Sequence, residues 1–203
     1  LSIRRQRQMC IRDRQIDYRD FLARADVLAA AGKTVLISDY FQYYRLASYL
    51  RRHTSRPIAL TLGAASLLSL FDEKYYVDLD GGILESFGRL FKNDLRLYVY
   101  PFLNPATQEL ATVENLRVAP ELQKLYGHLV DRGCIQQLSN HNPDCLKIFS
   151  RDVLERIKSG DNGWEGMVPT EIVEIIKRRG FFGFKRGPDS PVTEQSPGPR
   201  YEN

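Results

Sequence analysis

Cysteine is scarce in this chain, with three among 203 residues, at positions 10, 134 and 145. No two stand in a C-x-x-C pair, which excludes a disulfide framework and a Cys-rich zinc module. His141 lies four positions before Cys145, but two potential ligands do not make a zinc site, and no metal is expected. Two isolated thiols in the body of the chain read as reduced, buried side chains of a cytoplasmic protein. Long apolar runs are missing too. The longest, Leu60–Phe71, is broken by Thr61, Gly63, Ser66 and Ser69, and a spanning helix needs about 20 apolar residues. No membrane segment is expected. The glycines form neither G-x-G-x-x-G nor G-x-x-x-x-G-K-[ST], and there is no G-x-S-x-G. Gly32-Lys33-Thr34 ends like a phosphate loop but lacks the first glycine and precedes an apolar run. The sequence therefore assigns no cofactor and no catalytic residue.

Net positive charge is absent once the leader is set apart. The chain carries 29 basic and 25 acidic residues. Residues 1–14 hold five Arg and one Asp, so the remainder has 24 of each sign. The leader has neither helical nor strand period, and it resembles the conceptual translation of a sequencing adapter. It is expected to be foreign to the fold; the alternative is a basic arm for nucleic acid or membrane. Without it there is no basic footprint, so a nucleic-acid partner is not expected. The chain begins at Leu1 rather than Met and reads as part of a longer protein. Residues 187–203, with Pro188, Pro191, Pro197 and Pro199 and few apolar side chains, are expected to be a disordered tail.

What is present is a domain's length of ordinary globular composition, 43% hydrophobic, enough to bury a core. Residues 17–31 place Phe21, Leu22, Ala25 and Leu28 on one helical face, with Gly32 as a stop. Lys33–Ile37 and Pro57–Leu62 are short apolar runs that read as buried strands. Between them a helix is expected to run to about Arg52, capped by Ser38 or Asp39. Further helices are expected over Ala64–Phe71 and from Ile83 to Phe91, and a third strand over Leu95–Tyr100. Strands alternating with helices imply right-handed crossovers and a parallel sheet. After a loop over Asn104–Asn115 the pattern turns helical. Helices are expected from Pro120 to Gly133, from Ser150 to Lys158 and from Pro169 to Arg179. The aromatic Phe181-Phe182-Gly183-Phe184 should dock rather than stay exposed. The expected fold is α/β: a small parallel sheet of about three strands flanked by helices (residues 15–103), followed by a helical C-terminal part (104–186) packed on it.

In such sheets ligands collect at the carboxyl ends of strands. The first candidate is Ser38-Asp39, where a strand should give way to a helix with free N–H groups. The alternative is plain N-capping. The second is the loop of Lys74 and Tyr75 with Gly81-Gly82 before a helix bearing Arg89. Adjacent glycines admit an anion to the backbone, and the basic side chains supply charge. The alternative is a solvated loop with Asp80 as cap. Together these seven residues predict a site for a nucleotide or phosphorylated small molecule. The tyrosines at 40, 43, 44 and 49 read as core.

Several runs carry a resemblance: Val35-Leu36-Ile37-Ser38, Tyr43–Leu50, Glu73-Lys74-Tyr75-Tyr76 and, most specifically, Gly81–Asp94. Over nearly all of residues 15–186 the chain resembles the C-terminal part of a large bacterial family. Its members are labelled nicotinate- or nicotinamide-nucleotide adenylyltransferase, and some TonB-dependent receptor. The first label implies nucleotidyltransferase chemistry in an N-terminal half that would be this segment's partner. The H-x-G-H motif such chemistry needs is not formed by His53, His128 or His141, so no catalytic residue carries over. The second implies an outer-membrane barrel of many alternating strands, a pattern this sequence lacks. The competing expectation is a non-catalytic scaffold or a homo-oligomerisation domain, with the aromatic surfaces as contacts.

Overall fold

A computed structural model describes residues 17–104 and 107–185. The leader 1–14 and the tail 187–203 lie outside the described residues. The fold is α/β, with a three-stranded parallel sheet flanked by helices and helices toward the C-terminus. The chain divides into two compact units. One is formed by residues 36–147, and the other joins residues 17–35 to the segment from 148 onward. This differs from the expected division at 103/104. The N-terminal helix belongs with the last helices, and the segment 104–147 belongs with the sheet.

The first unit starts with α2 (Tyr43–Arg51), then β1 (Ala59–Gly63), α3 (Ala64–Leu70), α4 (Gly82–Leu90) and β2 (Arg96–Tyr100). A short hairpin, β3 (Phe102–Leu103) with β4 (Leu110–Ala111), lies inside the expected loop. Then come α5 (Gln123–Asp131) and β5 (Ile135–Gln137). The sheet order is β1-β2-β5, with Leu60 opposite Leu97, and Leu97 opposite Ile135. Strand side chains alternate between faces, and the buried Leu97 and Val99 of central β2 are enclosed in the core. Such burial stabilises by roughly 1.5–3 kcal/mol per side chain. In α4, Ile83, Phe87 and Leu90 recur at helical spacing and are buried. Phe71 sets its ring edge-on to both Phe87 and Tyr126, at 4.9 and 5.4 Å, tying α4 and α5 to one core. The Tyr126 hydroxyl donates to the Val113 carbonyl at 2.5 Å. Burial pushes this phenol up to about 12, because the ionised form loses its solvation.

One strand expectation is corrected, and one strand was not expected. Lys33–Ile37 forms no strand. Leu36 and Ile37 are 47% and 55% exposed, because the run spans the boundary between the units instead of entering either core. The expected strands over Pro57–Leu62 and Leu95–Tyr100 form as β1 and β2, and the sheet is completed by the unexpected Ile135–Gln137, paired to β2, with Leu97 N–H donating to the Cys134 carbonyl at 2.8 Å.

The second unit is helical: α1 (Tyr18–Ala30), α6 (Ser150–Ser159), a 3-10 segment Asn162–Met167 and α7 (Thr170–Arg179). Asp17 caps α1, accepting from the N–H groups of Arg19 and Asp20 at 3.0 and 3.1 Å. Trp164, fully buried, centres a cluster with Val153, Ile157, Ile172, Val173 and Ile176. Phe181, Phe182 and Phe184 pack against it, the docking expected from the sequence. Gly160 and Gly180 end α6 and α7 in the left-handed region that glycine enters without penalty. Ser150 was expected to cap α6, but Phe149 holds that position without a side-chain bond. Among the described residues no helix is long and apolar enough to cross a membrane.

Candidate functional site

The structure places the two expected loops differently from their prediction. Ser38 and Asp39 stand neither at a strand end nor at a helix start. They lie in irregular chain, and the N-cap of α2 is Gln42. Lys74 and Tyr75 sit in a 3-10 turn, Glu73–Tyr75, capped by Asp72. The Lys74 ammonium is ion-paired to Asp72 and lies 4.8 Å from the Tyr75 ring centre. The hydrogen bond to the Asp72 carboxylate holds it above the usual lysine range. Gly81 is the N-cap of α4 and Gly82 its first residue, at φ +53°. The Gly81 N–H, expected to face an anion, donates to Glu85 Oε2 at 2.9 Å. A Cβ at Gly81 would come within 2.8 Å of the Glu85 Cβ, so the glycine is needed for helix closure. The Arg89 guanidinium pairs with the other Glu85 oxygen at 2.5 Å. Three of the expected donors thus already have carboxylate partners from their own neighbourhood.

Arg89 leads to the neighbouring helix. Its guanidinium lies 5.7 Å from the Tyr44 ring centre, and Arg45 lies 5.8 Å from the same ring. Arg45 Nε donates to the Tyr44 hydroxyl at 3.1 Å, and this bond raises the guanidinium further above its ordinary value. Tyr43 and Tyr44 are buried, as expected for core. Tyr40 and Tyr49 are only half-buried.

A different set of residues gathers with no carboxylate in its lining. At the C-terminal end of α2, Arg51, Arg52, His53, Thr54 and Ser55 line an open pocket of about 610 Å³ with Asn93. The lining holds no carboxylate and no large apolar side chain. Arg51 is fixed in place: its guanidinium donates to the Arg56 carbonyl at 2.8 Å and the Asn93 carbonyl at 2.6 Å. Asn93 and Asp94 present that carbonyl through two successive left-handed residues, φ +62° and +56°, a conformation costly for side-chain-bearing residues. The Arg52 N–H donates to the Tyr49 carbonyl, but its guanidinium has no hydrogen-bond or ion-pair partner among the described residues. A helix C-terminus carries about half a negative charge, less than the two guanidinium charges set around it.

An aromatic ladder adjoins this pocket. His53 packs on Tyr49 with ring centres 4.9 Å apart, and Tyr49 on Tyr40 at 5.3 Å, both pairs tilted. The ladder ends one residue beyond Asp39, so the Ser38-Asp39 segment approaches the pocket through Tyr40, not through a strand end. Chemically, the arrangement offers one anchored and one unpartnered guanidinium, two hydroxyls and exposed aromatic edges. Sequence reasoning missed it, having read Arg51–Arg56 only as a helix end. Its signal was compositional: three Arg, one His and two hydroxyl residues in six positions, with no acid. Among the described residues no group of three His, Cys, Asp or Glu could hold a metal. Comparisons with protein-family models, with curated proteins and with solved structures find no match to this chain.

Proposed function

We propose that the α/β unit binds a nucleotide or a similar phosphorylated metabolite at the C-terminal end of α2, as part of a nucleotidyltransferase-like protein. The observation that carries this reading is the acid-free lining of Arg51, Arg52, His53, Thr54, Ser55 and Asn93. Phosphate oxygens accept the guanidinium and hydroxyl hydrogens, and charge-assisted bonds of this kind are the strong ones. Arg51, already anchored on two carbonyls, loses little freedom on binding, while Arg52 closes from its free position. A base stacks against the ladder of His53, Tyr49 and Tyr40. The resemblance of Gly81–Asp94 to the C-terminal part of a nucleotide adenylyltransferase-labelled family supports the same ligand class. The thiols of Cys134 and Cys145 are free, the first half-buried and the second exposed where the sequence suggested burial, and free thiols favour a reducing compartment such as the cytoplasm.

Thermal-shift titration of the full chain with ADP, AMP and inorganic pyrophosphate tests the reading. ADP and pyrophosphate should stabilise the protein, and Arg52→Glu should remove the effect while Lys74→Ala leaves it unchanged. Stabilisation that survives Arg52→Glu, or none with any of the three ligands, refutes it.

A further inference from the structure

A second concavity lies elsewhere in the same unit and has a different character. Leu84, Phe87, Gly88, Phe91 and Lys92 from the α4 side face Leu125, His128, Leu129 and Arg132 from the α5 side, with Cys134 also in the lining, around about 290 Å³. Leu84 is 64% exposed, which strands apolar surface at the groove mouth. Gly88 is exposed, and a Cβ there would meet nothing within 4 Å.

The topology gives this groove a direction. α4 delivers the chain to β2 and α5 delivers it to β5, and these strands are parallel neighbours. The last turns of both helices therefore lie toward the same edge of the sheet. Lys92 and Arg132 follow those last turns, with His128 one turn before Arg132. Leu84 and Leu125 lie near the helix starts. One end of the groove is cationic and the other apolar. Cations commonly complement helix C-termini, but here they also border an apolar trench. None of Lys92, His128 and Arg132 has an ion-pair partner among the described residues.

We propose that this groove binds a single-headed anionic amphiphile, an alkyl monocarboxylate. The carboxylate would lie between Lys92, His128 and Arg132, and the tail would run past Gly88 toward Leu84 and Leu125. Charge complementarity selects the sign of the head group, and the polarised ends select one head over charge spread along a partner helix. The step from Leu84 to Lys92 rises about 12 Å, a length that an extended chain of about eight to ten carbons covers.

Isothermal titration of the full chain with octanoate, 1-octanol and octylammonium, each below its aggregation limit, tests this. Octanoate should bind at least tenfold more tightly than 1-octanol, and octylammonium more weakly than both. It should also slow iodoacetamide labelling of Cys134, read peptide by peptide, without slowing Cys145. Gly88→Phe, at an open surface position, should abolish binding, and Lys92→Glu with Arg132→Glu should reverse the preference toward octylammonium. Equal binding of octanoate and 1-octanol overturns the proposal, as does no binding of octanoate. A Glu/Leu amphipathic helical peptide that outcompetes octanoate overturns it in favour of a protein partner. A dimer seen by light scattering and lost in Gly88→Phe overturns it in favour of self-association. The Arg52→Glu variant should bind octanoate normally, which separates this site from the nucleotide pocket.

Discussion

The two units solve the same problem with different materials. The α/β unit builds its core on a sheet whose strands come from positions 59–63, 96–100 and 135–137, each pairing waiting on a crossover. The helical unit uses no strand among its described residues. It closes instead by joining α1 to α7, across more than a hundred residues of chain, around one indole. The α/β unit carries both concavities described above and the two successive left-handed residues at Asn93-Asp94. In the helical unit the unusual backbone is at Phe182, φ +58°, where the ring packs against the Trp164 cluster and lies 5.2 Å from the Arg24 guanidinium. The left-handed pair at Asn93-Asp94 thus borders a polar pocket in one unit, while Phe182 serves packing in the other.

The largest effect should come from the helical unit's centre. Trp164→Ala removes a fully buried side chain and should cost about 3–5 kcal/mol, measured by urea denaturation followed by circular dichroism. Trp164 is the only tryptophan, so its fluorescence in the unaltered protein reports that unit's environment directly. A loss below 1 kcal/mol would remove the indole from its central place.

The counterpart in the sheet is Leu97→Ala, at a fully buried position of the central strand. It should cost about 2–5 kcal/mol, with faster amide exchange in β1, β2 and β5. Unchanged exchange there would break the description of β2 as the organising strand.

A smaller effect distinguishes the units by pH. The Tyr126 phenol, at about 12 in the folded state, titrates near 10 when unfolded. Its neutral form is the one stabilised, so its contribution is complete below pH 10 and is lost as pH rises from about 10 to 12. The difference amounts to roughly 2–3 kcal/mol. Tyr126→Phe should cost about 1 kcal/mol at pH 8 from the lost bond to Val113, and should lose less stability than the unaltered protein between pH 9 and 11.5. Parallel loss in both proteins would contradict the buried, neutral phenol.

The smallest effect is at a helix end. Asp17→Ala, which removes the α1 cap bonds, should cost about 0.5–2 kcal/mol by urea denaturation, and Asp17→Ser should recover most of it.

The amphipathic helices were legible because their burial follows local period: Ile83, Phe87 and Leu90 in α4, and Ile172, Val173 and Ile176 in α7. The glycine stops at 133, 160 and 180 were legible for the same reason, since each takes a positive φ that glycine alone adopts freely. The third strand was not legible. Ile135-Gln136-Gln137 has one apolar residue and owes its conformation to pairing with β2. Lys33–Ile37, with the better local pattern, pairs with no strand among the described residues. Pairing between distant segments overrides local preference in both cases. Nor could the sequence show that Asp72 and Glu85 would occupy Lys74, Gly81 and Arg89. Residue types announced an anion loop, but the geometry assigns their charges to one another. The acid-free run at 51–55 had no named motif, and only folding of Asn93 against Arg51 completes its pocket.

The most direct measurement is an amide chemical-shift map of the isotope-labelled full chain during titration with ADP. The account predicts the largest saturable shifts at residues 51–55 and 93, with smaller ones at Tyr40 and Tyr49. Shifts centred on 38–39 and 74–82, with 51–55 unmoved, would contradict it and return the site to the loops first suggested by the sequence.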